Sequence, residues 1–250
     1  MIDAHTHIDQ YGDDLPKALA QIRKFSIRTL AVSMDIPSYR KTQQIADEEP
    51  LIITSFGIHP WKAPEYADRL DELAEPLENA KAIGEIGLCH RFVDDESQYP
   101  AQRTIFNYFL DAAERTGKLI NLHTSGAEAE ILDGLAGRNL SAIIIHWYSG
   151  PPKLVRDFLD LGAYFTIGVE VLQSKKIQKL AKELPTNRIL TETDNPSGWH
   201  WLNGETGFPN LIEPVEKKIA EIRGVSRAVL SENICLNFNR LMQAGGLSQK

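Results

Sequence analysis

The chain has 250 residues, with 27 basic and 34 acidic side chains and a formal net charge of −7. Apolar residues make up 42% and charged residues 24%, an ordinary globular balance that excludes collagen-like, disordered and disulfide-scaffold classes. The acidic excess argues against a protein that coats duplex nucleic acid through many phosphate contacts, and no run of 18 apolar residues reads as a membrane span.

In chain order the apolar segments alternate in type. Met1–Ile8 predicts a short strand, Lys17–Lys24 a helix, Arg28–Ser33 a buried strand, Tyr39–Glu49 a helix and Leu51–Phe56 a β-branched strand. Pro64–Leu77 predicts one helix, opening with Pro and acids. Ala82–Ile86 predicts a strand ending in a GEIG turn, and Tyr99–Arg115 an amphipathic helix stopped by Gly117. Strands at Lys118–Leu122, Ala142–Ile145, Ala163–Ile167 and Arg188–Thr191 then alternate with helices at Ala127–Leu135, Pro152–Leu161 and Lys175–Leu184. Helical stretches at Pro214–Arg223 and Ser226–Gln243 follow. Eight strands alternating with helices point to the α/β class and to a (β/α)8 TIM barrel, with an open doubly wound sheet as the alternative. With no linker or composition shift, residues 1–250 read as a single domain. The start MIDAHTHID lacks the basic and apolar pattern of a secretory leader, and Cys89 and Cys235 are distant, so two reduced thiols and a cytoplasmic location are expected.

The placement of the seven histidines is informative. His5 and His7 close the first strand in D-A-H-T-H, and alternate strand residues share a face, a geometry suited to two ligands of one metal ion. His59 follows the third strand, His123 the fifth and His146 the sixth, while Glu85 ends the fourth and Asp194 follows the eighth. The carboxyl ends of barrel strands converge on one face, so these residues would meet in space. Each alone has an ordinary reading as a satisfied strand-end polar group, a cap or a turn residue. Their joint placement at strand ends, with no histidine in a helix interior, favours a metal site.

MIDAHTHID, FGIHP, IGEIGL, NLHTS, IIHWYSG and TETDNP together resemble, in order and approximate spacing, the TatD family of metal-dependent hydrolases, from Met1 to NFNRL at 237–241. The resemblance implies a (β/α)8 barrel of the metal-dependent hydrolase type with two divalent metal ions. It also implies a deoxyribonuclease that acts on nucleic acid, single-stranded DNA or DNA ends. It implies that His5, His7 and Asp194 hold the first metal, that His123 and His146 complete the second, and that Glu85 bridges them. His59 would contact substrate phosphate or a ligand. This donor set suits Zn, Mn or Mg, and a metal pair can clamp a phosphodiester and acidify a shared water. Asp194 would act as general base or as ligand only, and Glu192 as partner of a ligand imidazole or as a helix-proximal acid. The same water chemistry would serve an amidohydrolase-like esterase, lactonase or amidase, and a third reading is an interaction subunit with dispensable catalysis.

The chain departs from the family where an acidic residue is common after G-E-x-G-L: Cys89 and His90 stand there. Cys89 reads as a small buried side chain or an extra soft ligand. The TSGAE segment after His123 lacks a common Arg, for which Arg91 and Arg103 are candidate substitutes beside their reading as surface arginines. Trp61, Trp147, Trp199 and Trp201 are expected on loops at the catalytic face, either to stack bases or to pack over the barrel mouth. The Trp199-His200-Trp201 loop reads as a lid or a specificity element, and Gly198, Gly204 and Gly207 would allow it to hinge. The IIIHWYSG segment also resembles the TatD-like component of Qat, a multi-gene bacterial anti-phage system, which implies other proteins of a defence gene cluster as partners.

Overall fold

The computed structural model describes residues 1–247, so the last three positions of the expected 1–250 domain lie outside the described residues. Eight parallel strands follow one another in sequence order: β1 (Ile2–Thr6), β2 (Arg28–Ala31), β3 (Ile52–Phe56), β4 (Ala82–Gly87), β5 (Ile120–His123), β6 (Ile143–Ile145), β7 (Tyr164–Ile167) and β8 (Ile189–Thr191). β8 returns to β1: the Thr191 hydroxyl donates to the Ile2 carbonyl at 2.6 Å, and the Asp194 N–H donates to the His5 carbonyl at 3.0 Å. The sheet therefore curls into a barrel, and the open-sheet alternative is set aside.

The strands are nearly continuous apolar runs because both faces are covered. Phe56, Phe109, Phe158, Phe165 and Phe238 are fully buried in the main core between strands and helices. A smaller cluster of Ile8, Ile22, Ile45 and Ile52 seats the helices 15–25 and 36–48. Helix 36–48 starts on a reciprocal cap, with the Ser38 N–H donating to Asp35 Oδ1 and the Asp35 N–H donating to Ser38 Oγ, both at 2.9 Å. Helix 99–116 ends at Gly117, whose φ of 69° is the left-handed stop expected there.

Three expectations are corrected. The single helix over Pro64–Leu77 is instead a short helix at Ala63–Tyr66, a tight turn at Leu70–Leu73 and a second helix at Ala74–Asn79. Pro76 explains the break, because inside a continuous helix it would clash with the carbonyl of Glu72 and leave that carbonyl without its donor, whereas in the first turn of a helix starting at Ala74 there is no such bond to lose. The GEIG turn lies within strand β4. Trp199–Trp201 form no loop but part of a helix, Ser197–Asn203, which places His200 in a helix interior. Gly198 and Gly207 are not hinges there. A Cβ on Gly198 would meet the Thr193 carbonyl at 2.5 Å, and one on Gly207 would collide with the Asn195 side chain, so these glycines permit close packing.

Among the described residues no helix is long and apolar enough to cross a membrane, and both cysteines are free.

Candidate metal centre

Two strands carry an extra residue at the positions that matter. Asp3 and Thr6 of β1 pair with Thr29 and Ala31 of β2, and Ile83 and Ile86 of β4 pair with Ile120 and Leu122 of β5. In each case the strand advances by one residue more than its partner, which is a bulge, and bulges re-aim side chains. His5 lies inside the first bulge and Glu85 inside the second. Asp194 and Trp147 take left-handed backbone with φ of 51° and 38°, which a bulky residue adopts only when its surroundings impose it. The Trp147 N–H is held by Glu192 Oε1 at 3.0 Å and by Thr166 Oγ1 at 3.2 Å.

The side chains converge on the Glu85 carboxylate. Its Oε2 is 3.5 Å from His5 Nε2 and 3.4 Å from His7 Nε2. The same two nitrogens lie 3.5 and 3.4 Å from Asp194 Oδ1. The other oxygen, Oε1, is 3.3 Å from His146 Nε2, 2.8 Å from His123 Nδ1 and 3.6 Å from His59 Nε2. Three trios bring donor atoms within 4.8 Å of one another: His5, His7 and Glu85; His59, Glu85 and His123; and His5, His146 and Glu192.

Neighbours decide which nitrogen of each ring is free. Asn121 Nδ2 donates to the Ala4 carbonyl at 3.0 Å, so its Oδ1 accepts from His5 Nδ1 at 2.9 Å. The His5 Nε2 lone pair then faces Glu85 and Asp194 with no donor between them. His146 Nδ1 donates to Glu192 Oε2 at 3.0 Å, leaving its Nε2 aimed at Glu85. A lone pair facing a carboxylate requires a cation or a proton between them. Among the described residues, His5 Nε2, His7 Nδ1 and His123 Nε2 are buried without a hydrogen-bond partner. His59 differs. The Trp61 N–H donates to its Nδ1 at 3.2 Å, so in the neutral ring Nε2 carries the hydrogen. His59 therefore presents a donor.

Burial pushes Glu85 up, but the facing imidazoles of His59, His5 and His146 and the His123 hydrogen bond outweigh it and hold the carboxyl well below its usual range. Asp194 is lowered in the same way: burial acts against ionisation, and the His5 bond and the neighbouring imidazoles overcome it. Burial opposes charging of His123 and His146. The neighbouring Cys89 and Glu85 still lift His123 to about 9, and Glu192 and Glu85 lift His146 well above its ordinary value. Burial takes His59 down to about 3, keeping it neutral.

The expected residues fall as follows. His7, His59, Glu85, His123, His146 and Asp194 line one cavity of about 600 Å³; His5 is buried beneath it with its ring stacked on His146 at 3.6 Å, and Glu192 stands behind His146. Trp61, Trp147 and Trp201 line the cavity, whereas Trp199 packs on the core. Arg91 lines it too, but Arg103 pairs with Glu130 outside it. Cys89 is buried beneath the site, where the Trp61 indole N–H donates to its sulfur at 3.3 Å. Burial raises its pKa, yet the adjacent His123 outweighs that and leaves the thiol below its ordinary value. Sequence reasoning passed over Asn121, Phe92 and Glu170. Asn121 offered one signal, a polar residue two positions before His123 on the same strand face. Glu170 accepts from the Trp147 indole at 2.7 Å, a contact set by tertiary structure alone.

A family model described as "TatD related DNase" matches residues 2–243. The uncharacterized metal-dependent hydrolase YabD of Bacillus subtilis is 25% identical over 97% of this chain and 99% of its own length. The human deoxyribonuclease TATDN3 is 26% identical over 90% of this chain and 88% of its own. Among solved structures, the TatD homologue YjjV of Escherichia coli superposes with a TM-score of 0.87 at 21% identity, covering 96% of this chain and 97% of that one. A bulged-strand barrel that gathers imidazoles and carboxylates on its carboxyl-end face, matched along nearly its whole length, belongs to the TatD-related DNase family of metal-dependent hydrolases.

Proposed function

We propose that the protein is a two-metal phosphodiesterase that cleaves DNA, at ends or in single strands. The observation that carries this reading is the division of Glu85, with Oε2 facing His5 and His7 and Oε1 facing His123 and His146. Two ligand atoms about 2.0–2.2 Å from one tetrahedral zinc lie about 3.4 Å apart. Most of the nitrogen-to-carboxylate separations, 3.3–3.5 Å, match that edge and are too long for good hydrogen bonds. The first group is His5, His7, Glu85 and Asp194; the second is Glu85, His123 and His146. The donor set fits Zn, Mn or Mg.

Divalent cations held there would supply acidified water and positive charge opposite a phosphate. The chain's own groups do the rest. Asp194, held ionised, accepts the proton of the attacking water. His59, held neutral, donates from Nε2 to a phosphate oxygen. Glu192 and Asn121 fix the tautomers of His146 and His5, so that both Nε2 lone pairs point inward. The free thiols support a cytoplasmic location, and the Qat resemblance adds phage nucleic acid as natural substrate.

Protein stripped with a chelator and reloaded with each ion is expected to shorten end-labelled oligonucleotides only when reloaded. Glu85→Ala and His123→Ala should each lower cleavage at least about a thousandfold. Cleavage retained by both variants would overturn the proposal.

A further inference from the structure

In a barrel whose strands run from one to eight in order, β4 and β8 stand on opposite sides. Side chains that follow these two strands nevertheless meet. The ring of Phe92, shortly after β4, lies 5.6 Å from that of Trp201 on the helix after β8. Trp61, after β3, stands 6.5 Å from Phe92 and packs edge-on against His59 at 4.7 Å. A line of three rings thus runs from the floor of the cavity across its mouth, and all three line it. Trp61 and Phe92 are each 48% exposed and Trp201 is 71% exposed, so core packing does not explain them. The Phe92 and Trp201 planes meet at 75°, an edge-to-face contact that leaves ring face free.

Two cations meet at Ser149 on the rim: Arg91, which precedes Phe92 and lines the cavity, donates to Ser149 Oγ at 3.1 Å, and Lys176 donates to the Ser149 carbonyl. Flat apolar faces alternating with cations form the chemistry that holds an unpaired nucleic-acid strand. A base that is still paired can reach these ring faces only by bringing its partner strand to the same bridged mouth, whereas an unpaired base stacks on them directly.

We infer that Trp61, Phe92 and Trp201 form an aromatic bridge that selects the unpaired end of a nucleic-acid strand by stacking its bases, and turns paired ends away. The inference rests on the phosphodiesterase reading and names the substrate feature that the site recognises.

The test is binding, measured by fluorescence anisotropy with EDTA present so that nothing is cut. The probes are a labelled oligothymidylate, the same strand with abasic sugars at the three positions nearest each end, and a blunt duplex of equal length. The intact protein is expected to bind the base-bearing strand about tenfold more tightly than the abasic strand or the duplex. That preference should fall close to unity in Phe92→Ala and Trp201→Ala and be kept in Trp201→Phe, where an aromatic face remains. Both alanine substitutions are at exposed positions, and unchanged melting temperatures would confirm folding. No preference in the intact protein, or a preference that survives both alanine variants, overturns the bridge. If base-dependent binding is found but no metal supports cleavage, the phosphodiesterase reading fails and the bridge stands; cleavage without base preference gives the converse.

Discussion

Glu192 is buried behind His146 and His59 beside Glu85, and their hydrogen bonds assign them different work. Glu192 accepts from His146 Nδ1 at 3.0 Å and thereby fixes which nitrogen faces inward. Glu192→Gln keeps the volume but loses the charge, and a tenfold to hundredfold loss in metal affinity is expected at about that scale for such a partner. Metal content after dialysis against a dilute chelator measures it. His59 accepts from the Trp61 N–H and presents its other nitrogen as a donor. His59→Ala should therefore keep its metal and lose about a hundredfold to a thousandfold in kcat, the usual effect of removing one preorganised donor. Equal metal loss in both variants would show that His59 is a ligand. The roles of both residues in the sequence were ambiguous because the deciding partners, His146 and Trp61, set them through geometry that spacing does not report.

Among the elements, β3, β4 and β5 are pressed together at the centre by missing side chains. A Cβ on Gly57 would collide with the Glu85 carbonyl, and one on Gly87 with the His123 carbonyl. Gly57→Ala should cost about 1–3 kcal/mol through overpacking, read as a lower urea midpoint with unchanged m, and should disturb Glu85 as well. At the start of helix 36–48, Asp35→Ala should cost about 1 kcal/mol by removing the cap, read as a lower urea midpoint. The Gly117 stop and all eight strands were readable because each rests on local chemistry, whereas the Asp35 cap was passed over because the helix was expected only from Tyr39. The helix over 64–77 was misread because its acids and apolar spacing outweighed one interior proline. The bulges at His5 and Glu85 were invisible, since register belongs to a pair of strands and not to one.

For the molecule as a whole, closure of β8 onto β1 is what makes one site of residues 5 to 194. A ligand that binds only the folded form stabilises it by about 2.7 kcal/mol at a hundred times its Kd. For a chain of this size that is a rise of about 5–10 °C in Tm, expected when the stripped protein is reloaded and seen by calorimetry. No rise with any of the three ions would argue against a resident metal. The sequence by itself determined the alternation of strands and helices, the identity of the imidazoles and carboxylates, and their position at strand ends, because these follow from periodicity and order along one chain. Only the tertiary structure decided that Glu85 offers an oxygen to each side, that His59 is a donor, that Trp199 turns to the core while Phe92 and Trp201 meet across the mouth, and that Gly198 and Gly207 are packing sites. Those facts depend on distances between segments remote in sequence, and such distances are fixed by barrel closure and strand register.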